Sequence, residues 1–455
     1  MMVTKANSAL TSTRRVNSFS ICECLDNVIK YSDKSIVFYN DKLVYKQYPL
    51  NQLNWINELF IVNYLNNLPA AQYTQKNIIK FLKCEIIDDF VIDPHKKEIS
   101  LDRKEKVLRI TMKKYDTTLD KIRNFTDGEI FLILHKLTSA MIYCVSREIL
   151  HRDIKEKNIF VNYTEVGNSR KITEVVLADF NISSINYYAH TIKKSEINTI
   201  SHRSPEICQS INLSTTIKYG EKTDVWSMCV VLSFLITNHS FYGFLVDGYI
   251  HINRDFMCNV EHVIIAMEHF LKIFANKKLK HIKLYKKIIF MGIQHYRTRC
   301  DFQTIFDNLR EYNKNEGKYK LGFVKILRIS SPTITNSKAL VKNTKYIRLL
   351  HGELQTHDSV LMLFYKAVLK SMTYIMEKKL ESKVFLFSMY ILALFISDDN
   401  HENLDYYINI FNKMNDSRTL LENSDTQTTH KKISSSHVYS EIRKILRIQS
   451  FNILQ

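Results

Sequence analysis

The sequence predicts an α+β chain with a small β-rich N-terminal lobe, a larger helical lobe and an all-α domain behind them. Three observations carry that expectation. Between residues 28 and 115, short runs rich in Val, Ile, Tyr and Phe group around one helical segment. From 128 onward, long segments with helical apolar spacing dominate, broken by short strand-like pieces near 149–163 and 175–180. Beyond 346 the pattern reads as nearly all helix.

Residues 1–20 are polar and basic and lack the apolar core of a secretory signal, so they predict a mobile tail. The N-terminal lobe is expected over 21–115. Within it, "SIVFY" and "KLVYKQY" flank Asn40-Asp41 and predict a hairpin. After Pro49, "LNQLNWINELFIVNYLNNL" (50–68) has the apolar spacing of a helix. "NIIKFLKCEII" and "KVLRITMKKY" predict two further strands. The second lobe is expected over 116–325. There, "VNYTEVGNSRKITEVV" predicts an extended hairpin turning at Gly167-Asn168. A linker over 326–345, centred on "SSPTITNSK", precedes a helical domain at 346–455. The strongest apolar run, "VFLFSMYILALFI" (384–396), is shorter than the roughly 20 residues of a membrane span and predicts a buried helix.

Composition bounds the function more loosely. The 455 residues are 45% hydrophobic and 24% charged, which is globular rather than disordered. A formal charge of +18 favours anionic partners. The densest basic run, "NKKLKHIKLYKK" (276–287), has the spacing of a solvated helix face, and no aromatic-interleaved basic motif supports specific nucleic-acid binding. The eight cysteines form no CxxC pair, which fits reduced thiols in an intracellular protein.

The chemistry concentrates in "ILHRDIKEKNIFVNY" (149–163), where a carboxylate, cations and an amide sit between apolar runs. Unpaired polar groups are costly in such surroundings, so the cluster needs an organised role. "HRDIKEKN", followed by "LADFN" (177–181), "SHRSPE" (201–206) and "TDVWSMCVVL" (223–232), resembles in order four motifs of eukaryotic-type protein kinases. These are the catalytic loop, the metal-binding motif, the end of the activation segment and a central helix of the large lobe. The resemblance covers roughly 28–310 and implies a two-lobed protein-kinase-like fold, ATP and Mg²⁺ as cofactors, and Ser/Thr of protein substrates as acceptors. It makes Asp153 the group that orients the substrate hydroxyl, and Lys155 the cation beside the γ-phosphate. Asn158 and Asp179 become the metal ligands, all hard donors suited to Mg²⁺.

By the same resemblance, Lys46 of "LVYK" and Glu58 of "NEL" form the strand-lysine and helix-glutamate pair, at an interval of only 12 residues (46 to 58). Lys113 and Tyr115 line the adenine site. Glu206 pairs with Arg299, Asp224 braces the catalytic loop, and Thr199 is the substrate-side threonine. Arg152 implies an activation segment ordered by phosphorylation, with Thr191 and Ser195 as the acceptors.

Two positions depart from the family pattern. Setting Val37 as the family's strand valine gives a nucleotide loop of Ile29, Lys30, Ser32, Ser35 and Val37, with Lys30, Ser32 and Ser35 where glycines usually stand. No glycine precedes Gly128. Asn181 replaces the glycine after Asp-Phe, and Asn tolerates the left-handed conformation expected there.

In the last third, "KKLESKVFLFSMYILALFIS" (378–397) and "SHVYSEIRKILRIQSFNIL" (436–454) resemble helices of a cyclin box, although Ala393 stands where those helices carry an acidic residue. A generic helical bundle fits the pattern equally. Kinase–cyclin-like fusions of giant DNA viruses share this layout, which implies host cytoplasm, nucleus or virion as the location. It also implies an intramolecular contact between kinase and helical domain, with no membrane partner. The rival readings are a pseudokinase scaffold, a small-molecule kinase of the same fold and a nucleic-acid-binding protein.

Overall fold

The structure, a computed structural model, describes residues 28–31, 35–49, 54–67, 77–93, 98–167, 169–185, 199–213, 219–248, 256–316 and 383–396. It also describes short helical stretches between 343 and 368, at 407–412 and between 434 and 441. The expected tail at 1–20, most of the linker at 326–345, and Ser32, Thr191 and Ser195 lie outside the described residues.

The chain divides into two compact units, residues 1–52 with 82–114, and residues 53–81 with 115–455. The first holds a five-stranded sheet in the order β1-β2-β3-β5-β4, built from Val28–Tyr31, Ile36–Tyr39, Leu43–Pro49, Phe81–Asp93 (β4) and Glu98–Lys113 (β5). The expected hairpin is β2–β3, closed by Asn40, whose side-chain oxygen accepts from the amides of Lys42 (3.0 Å) and Leu43 (2.8 Å). Alternation along β3 sends Tyr45 and Gln47 to one face, where they are buried with Phe38, Asp89 and Arg109. Arg109 pairs with Asp89, and Gln47 Nε2 donates to the same carboxylate at 2.8 Å. The guanidinium also lies 5.5 Å from the rings of both Phe38 and Tyr45, which adds cation–π contacts to the ion pair.

The second unit begins with α1 (Asn54–Asn67). The sequence places this helix inside the N-terminal lobe, yet its anchors lie further along the chain. Asn66 Nδ2 donates to Ile79 O (3.0 Å), and the Tyr143 hydroxyl donates to Leu65 O (2.8 Å). Residues 77–79 pair with Leu177 through two backbone bonds of 2.9 Å. These contacts, rather than position in sequence, assign the segment 53–81.

Next come β6 (Thr117–Thr118), α2 (Asp127–Ser146), β7 (Ile149–Leu150), β8 (Ile159–Val166), β9 (Ser169–Leu177) and β10 (Ser184–Ile185). Helices α3 (Pro205–Asn212), α4 (Glu221–Thr237), α5 (Phe241–Gly248), α6 (Val260–Phe274), α7 (Ile282–Gly292), α8 (Phe302–Glu316) and α9 (Lys383–Ile396) follow. Thr126 and Glu129 form a reciprocal capping box at the start of α2. That helix is long and apolar enough to cross a membrane, but most of it is buried inside the unit, as suits a core helix. The extended hairpin is β8–β9, and Gly167 at its tip takes φ +61, as a tight turn demands. Helix α4 is buried from Thr223 to Thr237 and packs on α7, where a Cβ at Gly292 would overlap Cys229 Sγ. In the C-terminal stretch, Phe385–Ile391 of α9 is buried, and the Tyr365 ring meets Trp55 of α1 edge-on at 6.2 Å.

Candidate active site

The loop after β7 carries the charged cluster, and its backbone is held from below by one buried carboxylate. Asp224, on the first turn of α4, accepts from the amides of His151 (2.8 Å) and Arg152 (2.9 Å) and from the Tyr219 hydroxyl (3.0 Å). Burial pushes its pKa up to about 6 against those hydrogen bonds. Arg152 takes φ +69 and its guanidinium lies 5.4 Å from the Tyr219 ring. Asp224 therefore fixes the strained turn from which Asp153 projects.

His151 is fully buried, and that burial lowers its pKa to about 4, so the ring is neutral. Nε2 donates to Ala178 O (3.0 Å), which leaves Nδ1 to accept from the Asp153 amide (3.2 Å). The two partners thus select one tautomer and tie the loop to the segment carrying Asp179.

Asp153 sits at the centre. Its carboxylate accepts from Lys155 Nζ (2.6 Å), Asn158 Nδ2 (3.0 Å) and the Thr199 hydroxyl (2.8 Å). Lys155 also donates to Thr199 Oγ1 at 2.7 Å. Burial alone would raise the carboxyl pKa, but Lys155, Thr199 and His151 more than offset it, so Asp153 is held below the usual carboxylate range. Asn158 Nδ2 donates to the Asp153 carbonyl (2.8 Å) as well as the carboxylate, which fixes the amide's orientation and presents Oδ1 as a hard oxygen ligand. The donor set thus fits Mg²⁺, with Asn158 and Asp179 as the residues that would hold it.

Asp179 takes φ +67, whereas Asn181 is not among the residues with positive φ. The expectation of a left-handed Asn181 is corrected here. The turn after Asp179 closes through Ser183 N to Phe180 O (3.2 Å), and the Ser183 hydroxyl bonds His151 O (2.8 Å). The left-handed residue is therefore Asp179, and a side chain at 181 meets no backbone penalty.

The scaffold pair is present: Arg299 binds Glu206 through two bonds of 2.8 and 3.1 Å, and its guanidinium lies 4.8 Å from the Trp226 ring. A link that the sequence reading missed joins Glu156 Oε2 to His202 Nε2 at 2.9 Å, directly between the catalytic loop and the segment after Thr199. A second unforeseen contact is Asn57 Nδ2, which donates to the carbonyls of Asn181 (2.9 Å), Ser183 (3.0 Å) and Phe180 (3.4 Å).

The residues that the resemblance assigns to the nucleotide are described unit by unit. Ile29 and Lys30 lie on β1, where the register shifts between Val28 and Lys30, and Lys30 faces Val37 on β2. Ser35 is buried just before β2. Lys46, on β3, has its Nζ 5.3 Å from the Tyr48 ring, and Lys113 is exposed at the end of β5. In the second unit, Glu58 is buried on α1. Tyr115 packs 5.8 Å from Phe160 and lines a cavity of about 550 Å³ with Asn66, Asn77, Lys136 and Glu174. Burial, with Glu174 next to it, raises the Tyr115 hydroxyl far above its usual pKa, so this phenol serves the cavity as a neutral donor.

Residues 71–289 match the family model described as the protein kinase domain. That stretch of the chain is similar to a protein kinase domain. Similar proteins include serine/threonine-protein kinase dst4 of Dictyostelium discoideum, 28% identical over 185 residues that cover 39% of this chain and 35% of that protein. Serine/threonine-protein kinase Nek5 of Homo sapiens is 31% identical over 120 residues, 26% of this chain and 15% of its own length. Calcium-dependent protein kinase 5 of Plasmodium falciparum is 29% identical over 120 residues, 26% and 19% respectively. The chain thus spans about a third or less of these relatives.

Proposed function

We propose that this chain is an ATP-dependent serine/threonine protein kinase. The observation that carries the reading is the arrangement of Lys155, Asn158 and Thr199 around one buried, ionised Asp153. A substrate hydroxyl approaching Asp153 would hydrogen-bond to its carboxylate and present the oxygen for attack. Lys155, already shared between Asp153 and Thr199, would swing a short way to meet negative charge on the transferring phosphoryl group. Mg²⁺, when bound, supplies neutralisation of the phosphate charge. The remaining work is positioning, done by Asp224 and His151 on the loop backbone. The test is transfer of radiolabelled phosphate from ATP, with Asp153→Asn as control. The mutant should lose transfer and keep its fold. Equal incorporation by both proteins would remove Asp153 from the reaction, and no transfer by wild type would favour a scaffold.

The proposal extends to regulation in cis, with the C-terminal helical segment acting on α1. The Trp55–Tyr365 ring contact supports it. Tyr365→Leu in the full chain should lower the transfer rate several-fold with a cooperative melt retained, and an unchanged rate would leave that segment another role.

A further inference from the structure

We infer that Asn57 is a positioning residue that holds the metal-ligand loop in its working shape, so that α1 acts on Asp179 through a side-chain amide. The inference rests on the kinase reading of this site and deepens it.

Asp179 is a non-glycine residue at φ +67, a conformation that persists only where its surroundings impose it. The three residues that determine the turn after it, Phe180, Asn181 and Ser183, all direct a backbone carbonyl at Asn57 Nδ2, at 3.4, 2.9 and 3.0 Å. An amide nitrogen carries two hydrogens, so the two shorter bonds satisfy it and the third carbonyl adds only a long contact. The donor is delivered from a rigid support. Trp55, Ile56, Leu59, Ile61, Val62 and Leu65 of the same helix are each 0% exposed, and packing of that density leaves little freedom to move. On its other side the loop is fixed by the Ser183 hydroxyl on His151 O and by the His151 ring, 4.6 Å edge-on from Phe180. The loop therefore lies between the catalytic loop and α1, and Asn57 makes the α1 side of that clamp. Trp55 stands two positions away on the same helix and touches Tyr365. A shift of α1 would thus move the carbonyls that shape the Asp179 turn without any change at Asp179 itself.

Asn57→Asp tests this with almost no change in volume, since it removes both N–H donors and sets a carboxylate against carbonyl oxygens. Losing two such bonds should raise the Mg²⁺ concentration for half-maximal rate by about tenfold, at saturating ATP and peptide, with the maximal rate approached again in excess Mg²⁺. Hydrogen exchange at the amides of 179–183 should quicken while that of α4 stays unchanged. Asn57→Ser serves if the aspartate variant does not fold. A folded variant with wild-type Mg²⁺ dependence, or one whose maximal rate falls with no change in that dependence, overturns the inference. The exchange arm needs no catalysis. If wild type transfers no phosphate the kinase reading fails, and unchanged exchange at 179–183 then sinks the clamp separately.

Discussion

The contact between Glu156 and His202 yields a sharp prediction, because it joins the catalytic loop to the segment following Thr199 through residues outside the Asp153 cluster. The side chains are 13% and 9% exposed and meet at 2.9 Å, while the other ring nitrogen of His202 lies 2.8 Å from Ser201 Oγ. The His202 carbonyl accepts from Ser227 of α4 at 2.9 Å, so the segment has little room to adjust. Removing one partner of a close contact between buried polar side chains costs about 1–3 kcal/mol. If that energy positions substrate, Glu156→Gln and His202→Gln should each lower kcat/KM for a peptide by roughly tenfold or more. The double variant should fall no further than the worse single one, giving a coupling energy of at least about 1 kcal/mol. Effects that add within about 0.5 kcal/mol would refute the coupling. Acid sensitivity gives an independent check. Burial alone would raise the Glu156 carboxyl, but His202 more than offsets it and leaves its pKa below the unfolded value of 4.5. Its contribution to stability is therefore present above pH 4.5 and is lost as pH falls through the lowered native value. Glu156→Gln should flatten that part of the acid melt.

Two other perturbations test the scaffold. Arg299→Met leaves Glu206 without its bidentate partner beside a 1% exposed site, and should destabilise the fold by about 3–5 kcal/mol, read as a lowered thermal midpoint; a shift of under a degree would show that the pair is dispensable. Asp224, with a native pKa of about 6 against 3.8 unfolded, contributes stability that is present below pH 3.8 and lost as pH rises through about 6, a cost of about 3 kcal/mol for holding it ionised. Protonation near pH 6 removes an acceptor from the His151 and Arg152 amides, so the rate should fall on the acid side with a midpoint near 6, and Asp224→Asn should abolish that limb.

The residues legible in the sequence were those whose chemistry is local and charged. Asp153, Lys155 and Asn158 lie within six positions, and the structure brings all three to one carboxylate, with Thr199 arriving as its motif implied. The Glu206–Arg299 bond and the Asp224 brace were legible for the same reason, since each residue sits in a recognisable motif. Asn57 was not, because its partners are backbone carbonyls, which leave no trace in side-chain identity. Glu156 stood in plain sight within the catalytic-loop motif, but its partner lies 46 positions on (156 to 202) and nothing local pairs them. The grouping of 53–81 with the second unit was hidden similarly, since hydrophobic spacing predicts a helix but not the surface it packs on. Asn181 misled because the backbone strain had been placed two residues too far along.

The route of the chain between the two units has a consequence for synthesis. It passes from one to the other at 52/53, 81/82 and 114/115, so β3 and β5 pair across an excursion belonging to the other unit. All strands of the first sheet have been synthesised by residue 113, whereas groups that bond α1, among them the Tyr143 hydroxyl and the carbonyls of 180, 181 and 183, are made later. Until then α1, with six fully buried large apolar side chains in the finished fold, lacks those partners. Short isolated helices are marginal in water, and exposed apolar runs associate. A chain ending between residues 114 and 142 would therefore have every strand of the first sheet but lack these partners of α1. Aggregation or chaperone capture during translation should begin at residues 54–67.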